Sequence, residues 1–228
     1  MKLRVFGIMG TILMLSQAGT AESATLKSQK DKISYSMGTN MGRNLKQMAL
    51  DIDPDILAQG FKDAFSGAKP QLSDEEMQTV LANLQKEMAA KQAEKLKALG
   101  DKNKKEGEAF LATNKKKEGV KTLASGLQYK VLKEGTGKIP KATDKVSTHY
   151  QGTLIDGTEF DSSYKRGEPA VFQVKGVIAG WSEALQLMKV GAKWQLFIPA
   201  KLAYGEQIKP PIGPNSVLIF TMELLAIQ

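Results

Sequence analysis

Between Ser28 and Pro70 apolar residues return every three or four positions: Ile33, Met37, Met41, Leu45 and Met48 fall on one side of a helix. A second helix is predicted over PDILAQGFKDAFSG, with Pro54 just inside its start and Gly67 at its stop. Ser73 then has Glu76 three residues on, the spacing of a capping box, while Asp74 and Glu75 suit the positive end of a helix dipole. Met77, Val80, Leu81, Leu84 and Met88 continue as an apolar stripe, which fades into sequence rich in Ala, Lys and Glu. No proline interrupts Ser73 to Val120. Helical as far as Asn114, this element would be about 60 Å long at roughly 1.5 Å per residue. Polar on nearly all sides, it is expected to act as a spacer, with Gly100 and Gly107 as bending points.

From about Lys121 the period changes. GLQYKVLKEG, KVSTHYQGTLIDG, AVFQVKG, KWQLFIPA and SVLIFTMELLAIQ read as strands, punctuated by Gly, Pro, Asp and Asn. One short helix, GWSEALQLM, interrupts them, with Trp181, Leu185 and Met188 inward and Ser182, Glu183 and Gln186 outward. The fold class is α+β: N-terminal helices, a long connecting helix, then an antiparallel sheet wrapped on a short helix. The expected layout is a leader over residues 1–21, a helical region over 22–72, the connecting helix over 73–120 and the sheet domain over 121–228.

In the first helix Gly38 and Gly42 stand four apart, as do Met37 and Met41. Small residues permit close helix approach and thioethers fill irregular gaps. This face is either an intramolecular core or a dimer interface. Two small helices bury little apolar area alone, which favours dimerisation through Met37, Gly38, Met41 and Gly42.

Composition narrows the chemistry. The net charge is +8, but the lysines concentrate between Lys86 and Lys121, where aromatic residues are scarce. Nucleic-acid binding would need stacking partners there, so a solvated helix face is the better reading. Lys2 and Arg4 precede an apolar run from Val5 to Leu15, too short to cross a bilayer, and then small residues with cleavage after Ala18 or Ala21. The remaining chain has no stretch long enough for a transmembrane helix. There is no cysteine, which removes disulfides, thiolate nucleophiles and thiolate metal sites. An exported chain without thiols suits a bacterial periplasm.

Most catalytic classes lack their parts. The single histidine, His149, lies between Thr148 and Tyr150 on a strand whose inward face is Val146, Thr148 and Tyr150, so it is expected to face solvent. That argues against a Ser-His-Asp triad and against a His-rich metal centre; no metal or cofactor is implied. GTGKIP has Ile139 where a phosphate loop needs Ser or Thr. What recurs near strand ends and turns is apolar: Tyr150, Phe160, Phe172, Val177, Ile178, Trp181, Tyr204, Ile212 and Phe220. These residues are either plain core or the lining of a concave ligand pocket. Asp161, beside Phe160 and five residues before Arg166, is the polar group to explain.

SGLQYKVLKEGTG, HYQGTLIDGTEFDSSYKRGEP, VIAGWSEALQLMKVGAK, IPAKLAYGE and IGPNSVLIFTMELL together resemble an FKBP-type peptidyl-prolyl isomerase domain. The N-terminal half is similar to the Mip (macrophage infectivity potentiator) group of Gram-negative bacteria. The resemblance implies a V-shaped homodimer, joined through the N-terminal helices, with a catalytic domain at each tip. It implies a pocket of Tyr150, Phe160, Asp161, Arg166, Phe172, Val177, Ile178, Trp181, Tyr204, Ile212 and Phe220. The sequence departs at Ala170, where many relatives place an aromatic residue, and in EQIKPPIGPN, which brings Lys209 near the mouth.

The implied activity is cis-trans isomerisation of X-Pro bonds in exported or host polypeptides, in the periplasm or at the outer surface, with rapamycin-type macrolides as inhibitors. Trp181 would floor the pocket, and the Ile178 N–H and Tyr204 hydroxyl would donate to substrate carbonyls. Asp161 would be an ionised fixture orienting the amide, or a purely structural partner of Arg166. The alternative function is a non-catalytic clamp holding unfolded or host polypeptides between the arms of a dimer.

Overall fold

The computed structural model describes residues 25–228, which divide at Ser73/Asp74 into two compact units. The expected leader over residues 1–21 lies outside the described residues. Among the described residues no helix is long and apolar enough to cross a membrane.

The first unit holds α1 (Gln29–Gln47) and α2 (Pro54–Ser66). The Ser28 hydroxyl accepts from the Asp31 N–H, and the Asp31 carboxylate accepts from the Ser28 N–H, so the start of α1 is fixed by two reciprocal bonds. Pro54 opens α2 behind an Asp53 cap, and Gly67 ends it in the left-handed region at φ 73°. Both boundaries of α2 fall where the sequence predicts. Neither helix buries a single residue, and Met37 is 69% exposed. A Cβ at Gly38 or Gly42 would meet nothing within 4 Å. One chain alone therefore builds no core here.

The second unit opens with α3 (Asp74–Asn114), one unbroken helix of 41 residues. Its early part leaves Val80 and Leu81 exposed. Its last turns pack on the sheet, because Gly100, Gly107 and Asn114 are buried on the same face. The expectation of a helix polar all round is corrected for this stretch. Gly100 and Gly107 are places of close approach, and the helix continues through both.

The sheet strands are β1 (Val120–Thr122), β2 (Gln128–Lys133), β3 (Lys145–Thr153), β4 (Glu159–Ser162), β5 (Ala170–Gln173), β6 (Lys193–Ile198) and β7 (Leu218–Ile227). They run antiparallel in the order β1-β2-β6-β7-β3-β4, with β5 also paired to β3. The short β1, β4 and helical turn α4 (Ser163–Arg166) carry too few residues to show a period, and the sequence pattern misses them. In AVFQVKG only the first four residues are strand, and the rest form a 3-10 turn.

Alternation on β3 and β7 supplies the core: Val146, Thr148 and Tyr150 face inward with Leu218, Phe220, Met222 and Leu224. Across that face lies α5 (Ala179–Leu185), which buries Trp181, Ala184 and Leu185. A Cβ at Gly180 would stand 2.5 Å from the Ile198 Cγ2, so only glycine lets α5 sit this close to β6. Ser182, expected outward, is half-buried and donates its hydroxyl to the Val174 carbonyl at 2.6 Å, which fixes the start of α5.

Candidate functional site

A cavity of about 640 Å³ opens between β3, β4, β5, α5 and the loop before β7. Its deepest wall is the Trp181 indole, only 4% exposed. Three aromatic rings stand edge-on or tilted around that indole. Tyr150 approaches at 4.9 Å and 79°, Phe220 at 5.0 Å and 79°, and Phe172 at 5.5 Å and 85°. Phe160 in turn meets Phe220 edge-on at 5.4 Å. Such pairs set a positive ring edge against a negative ring face, so each ring holds its neighbour's angle. A Cβ at Gly152 would lie 2.7 Å from both Phe160 and Phe220, so this glycine of HYQGT makes room for both rings.

Val177 and Ile178 enter from the turn before α5, Tyr204 and Ile212 from the loop before β7. The Ile178 carbonyl accepts the N–H groups of Trp181 and Ser182, which anchors the residue as the cap of α5. Among the described residues the Ile178 N–H and the Tyr204 hydroxyl form no hydrogen bond within the protein. Both donors are thus open to a bound molecule.

Asp161 is the one acidic group on the cavity wall. The Tyr150 hydroxyl donates to its Oδ2 at 2.6 Å, and Arg166 Nη1 donates to its Oδ1. Arg166 Nη2 also donates to the Tyr150 oxygen at 2.8 Å, with the guanidinium 5.5 Å from the Tyr150 ring centre. Partial burial pushes the Asp161 carboxyl up, but the bonds from Tyr150 and Arg166 and the arginine charge outweigh it. The net result lies below the usual carboxylate value, so the group is ionised near neutral pH. Burial, reinforced by Asp161, raises the Tyr150 hydroxyl above its ordinary value and keeps it a donor.

Ten of the eleven pocket residues named from sequence line this one cavity. Arg166 does not; it braces Asp161 and Tyr150 from outside. Lys209 is on the wall, as its place in EQIKPPIGPN suggested. Sequence reasoning missed Gly176, Pro210 and Pro211, because a Pro-Pro pair signals a turn without saying which way it faces. His149 points away from Tyr150 as expected, yet it is half-buried and not fully exposed to solvent. It stacks on Tyr164 at 4.7 Å, with Nδ1 3.0 Å from the Ser163 hydroxyl. No group of three or more His, Asp or Glu able to hold a metal ion occurs among the described residues.

Family comparisons agree with this geometry over most of the chain. Residues 137–225 match the FKBP-type peptidyl-prolyl cis-trans isomerase model, and residues 30–131 match the domain amino terminal to FKBP-type peptidyl-prolyl isomerase. The chain belongs to the FKBP-type peptidyl-prolyl cis-trans isomerases, within their Mip group. It is 47% identical to outer membrane protein MIP of Legionella longbeachae, over 100% of this chain and 98% of that protein. It is 46% identical to peptidyl-prolyl cis-trans isomerase Mip of Coxiella burnetii, over 92% of each. Among solved structures, FkpA from Escherichia coli matches 90% of this chain and 99% of its own, with a TM-score of 0.73 and 38% identity. The protein is an isomerase of prolyl peptide bonds.

Proposed function

We propose that the Trp181 cavity is where the X-Pro bond turns. Rotation about the amide is slow because resonance must be broken, at about 18–20 kcal/mol. The twisted amide carries less charge separation than the planar one, so an apolar enclosure favours it relative to water. The observation that carries the reading is an aromatic-walled cavity holding two unengaged donors, the Ile178 N–H and the Tyr204 hydroxyl. The proline ring would rest on Trp181 between Phe172 and Phe220, with the donors taking substrate carbonyls. Asp161, held ionised by Tyr150 and Arg166, orients the amide and transfers no proton. A macrolide of the rapamycin type would compete for the same cavity.

Peptide isomerisation tests the assignment. Tyr204→Phe and Phe172→Ala are each expected to lower kcat/KM by about tenfold and to weaken macrolide binding. Unchanged turnover and macrolide affinity in both folded variants would remove it.

A second reading concerns the first unit. The largely exposed apolar faces of α1 and α2 support a homodimer formed through Met37, Gly38, Met41 and Gly42. Paired chains would present two catalytic sites to one unfolded polypeptide, and the apolar stretch Met77–Met88 of α3 would add adaptable surface. The relatives from Legionella and Coxiella support a place in the periplasm or at the outer surface. Folding of exported proteins is the role that fits this combination.

A further inference from the structure

One wall of the cavity is a loop that starts at Tyr204 and returns to β7. It carries Tyr204, Lys209, Pro210, Pro211 and Ile212. Its neck is closed where the Asn215 N–H donates to the Gly205 carbonyl at 2.7 Å. Its tip is closed by the reciprocal bonds between Lys209 and Ile212, at 2.9 and 2.7 Å. Nothing in these bonds fixes the angle of the loop as a whole.

That angle is set from outside, by α3. The returning leg, residues 213–217, lies along the helix face formed by Gly100, Asn103 and Gly107, three positions within two turns. Asn103 Nδ2 donates to the Pro214 carbonyl at 2.8 Å and reaches the Ser216 hydroxyl at 3.4 Å. That hydroxyl donates to the Gly213 carbonyl at 2.9 Å, so one side chain of α3 organises three residues of the leg. The glycines on either side let the leg reach it. A Cβ at Gly107 would stand 2.6 Å from the Val217 Cγ2, and one at Gly100 3.4 Å from Pro214. From the leg's side, a Cβ at Gly213 would stand 3.0 Å from Asn103 Nδ2 and 3.2 Å from Leu99. Beyond this clamp a second cavity, of about 280 Å³, lies between Leu99, Lys102 and Pro211. Pro211 thus borders both cavities and has room to shift if the leg is released.

We infer that Asn103 is a positioning residue of the isomerase: it holds the 204–212 wall at the angle that closes the proline pocket, making α3 part of the substrate-binding apparatus. This rests on the assignment of the Trp181 cavity as the X-Pro site. Losing the clamp weakens the hold on substrate before and after rotation alike, so it raises KM and leaves kcat unchanged.

The full-length chain is used for the test. Asn103→Ala is expected to raise KM for an X-Pro peptide by about three- to tenfold at constant kcat, the yield of one such hydrogen bond. Amide hydrogen exchange should quicken within residues 206–216 and stay unchanged in β3 and β7. Gly107→Leu, which forces Val217 aside, should act in the same direction and more strongly. Lys104→Ala, on the exposed side of α3, should match the wild type. A KM within twofold of wild type for Asn103→Ala overturns the inference, as does a fall in kcat alone or unchanged exchange in 206–216. If Tyr204→Phe and Phe172→Ala are silent as well, the pocket assignment fails first. If those two are impaired while Asn103→Ala is not, only the role of α3 is lost.

Discussion

The two units of this chain treat their apolar residues in opposite ways. In the sheet domain Leu196, Leu218, Met222 and Leu224 are wholly buried, whereas in α1 and α2 Met37, Ile56, Phe61 and Phe65 are each more than half exposed. Both stretches have comparable periodic patterning, so patterning alone does not tell a finished core from an unfinished one. A sheet of about a hundred residues has enough area to close around its own helix, and two helices of 19 and 13 residues do not. The sheet domain closes its core within one chain, and the helical unit leaves its apolar residues uncovered.

The largest effect that would sharpen this contrast is on stability. Leu196→Ala should cost the sheet domain about 2–5 kcal/mol, read as a fall in denaturant midpoint. Ile56→Ala, at an exposed position of α2, should cost under about 0.5 kcal/mol in a dilute, monomeric sample. Equal losses at both sites would break the comparison.

Next in size is assembly. Met37→Lys with Met41→Lys places two charges on the face proposed to pair, and should weaken self-association by about a hundredfold or more in analytical ultracentrifugation. Turnover of a short X-Pro peptide should stay within about twofold, because the cavity belongs wholly to the other unit. A stable dimer in the double variant would show that α1 pairs by another face.

Smaller effects probe the polar brace of the pocket. Asp161→Asn keeps the shape but removes the charge that Tyr150 and Arg166 grip, and should lower kcat/KM by about three- to tenfold. The pH dependence follows from the same bonds. Asp161 lies lower in the folded chain than in the unfolded one, so its stabilisation is complete above the ordinary carboxyl range near pH 4. It is lost as the pH falls through the lower folded value. Tyr150 lies higher when folded, so its contribution is complete below about pH 10 and fades as the pH rises past its folded value. Wild-type stability should therefore receive a constant contribution from this pair between about pH 6 and 9. The acid-side loss should be smaller in Asp161→Asn; an identical acid profile in variant and wild type would sink the ion-pair reading.

Much of this was legible in the residues themselves. The ends of α2 could be read because capping Asp, Pro and Gly act within one turn, on the backbone groups next to them. The inward set on β3 and β7 could be read because strand alternation has a period of two. The aromatic residues of the pocket could be named from motif resemblance, yet their meeting around Trp181 brings together positions from 150 to 220. Pro210, Pro211 and Gly176 were missed because composition marks a turn without its direction.

The sequence by itself determined the succession of elements, the absence of thiol chemistry and the apolar character of the site. These are properties of neighbours along the chain, decided over three or four residues. Only the tertiary structure decided that Arg166 stands behind Asp161 outside the cavity, and that His149 is covered by Tyr164. Only it turned Gly100 and Gly107 from expected bends into a seat for residues 213–217. Those outcomes depend on which distant surfaces meet. A glycine reads the same in a sequence whether it frees the backbone or clears space for a neighbour a hundred residues away.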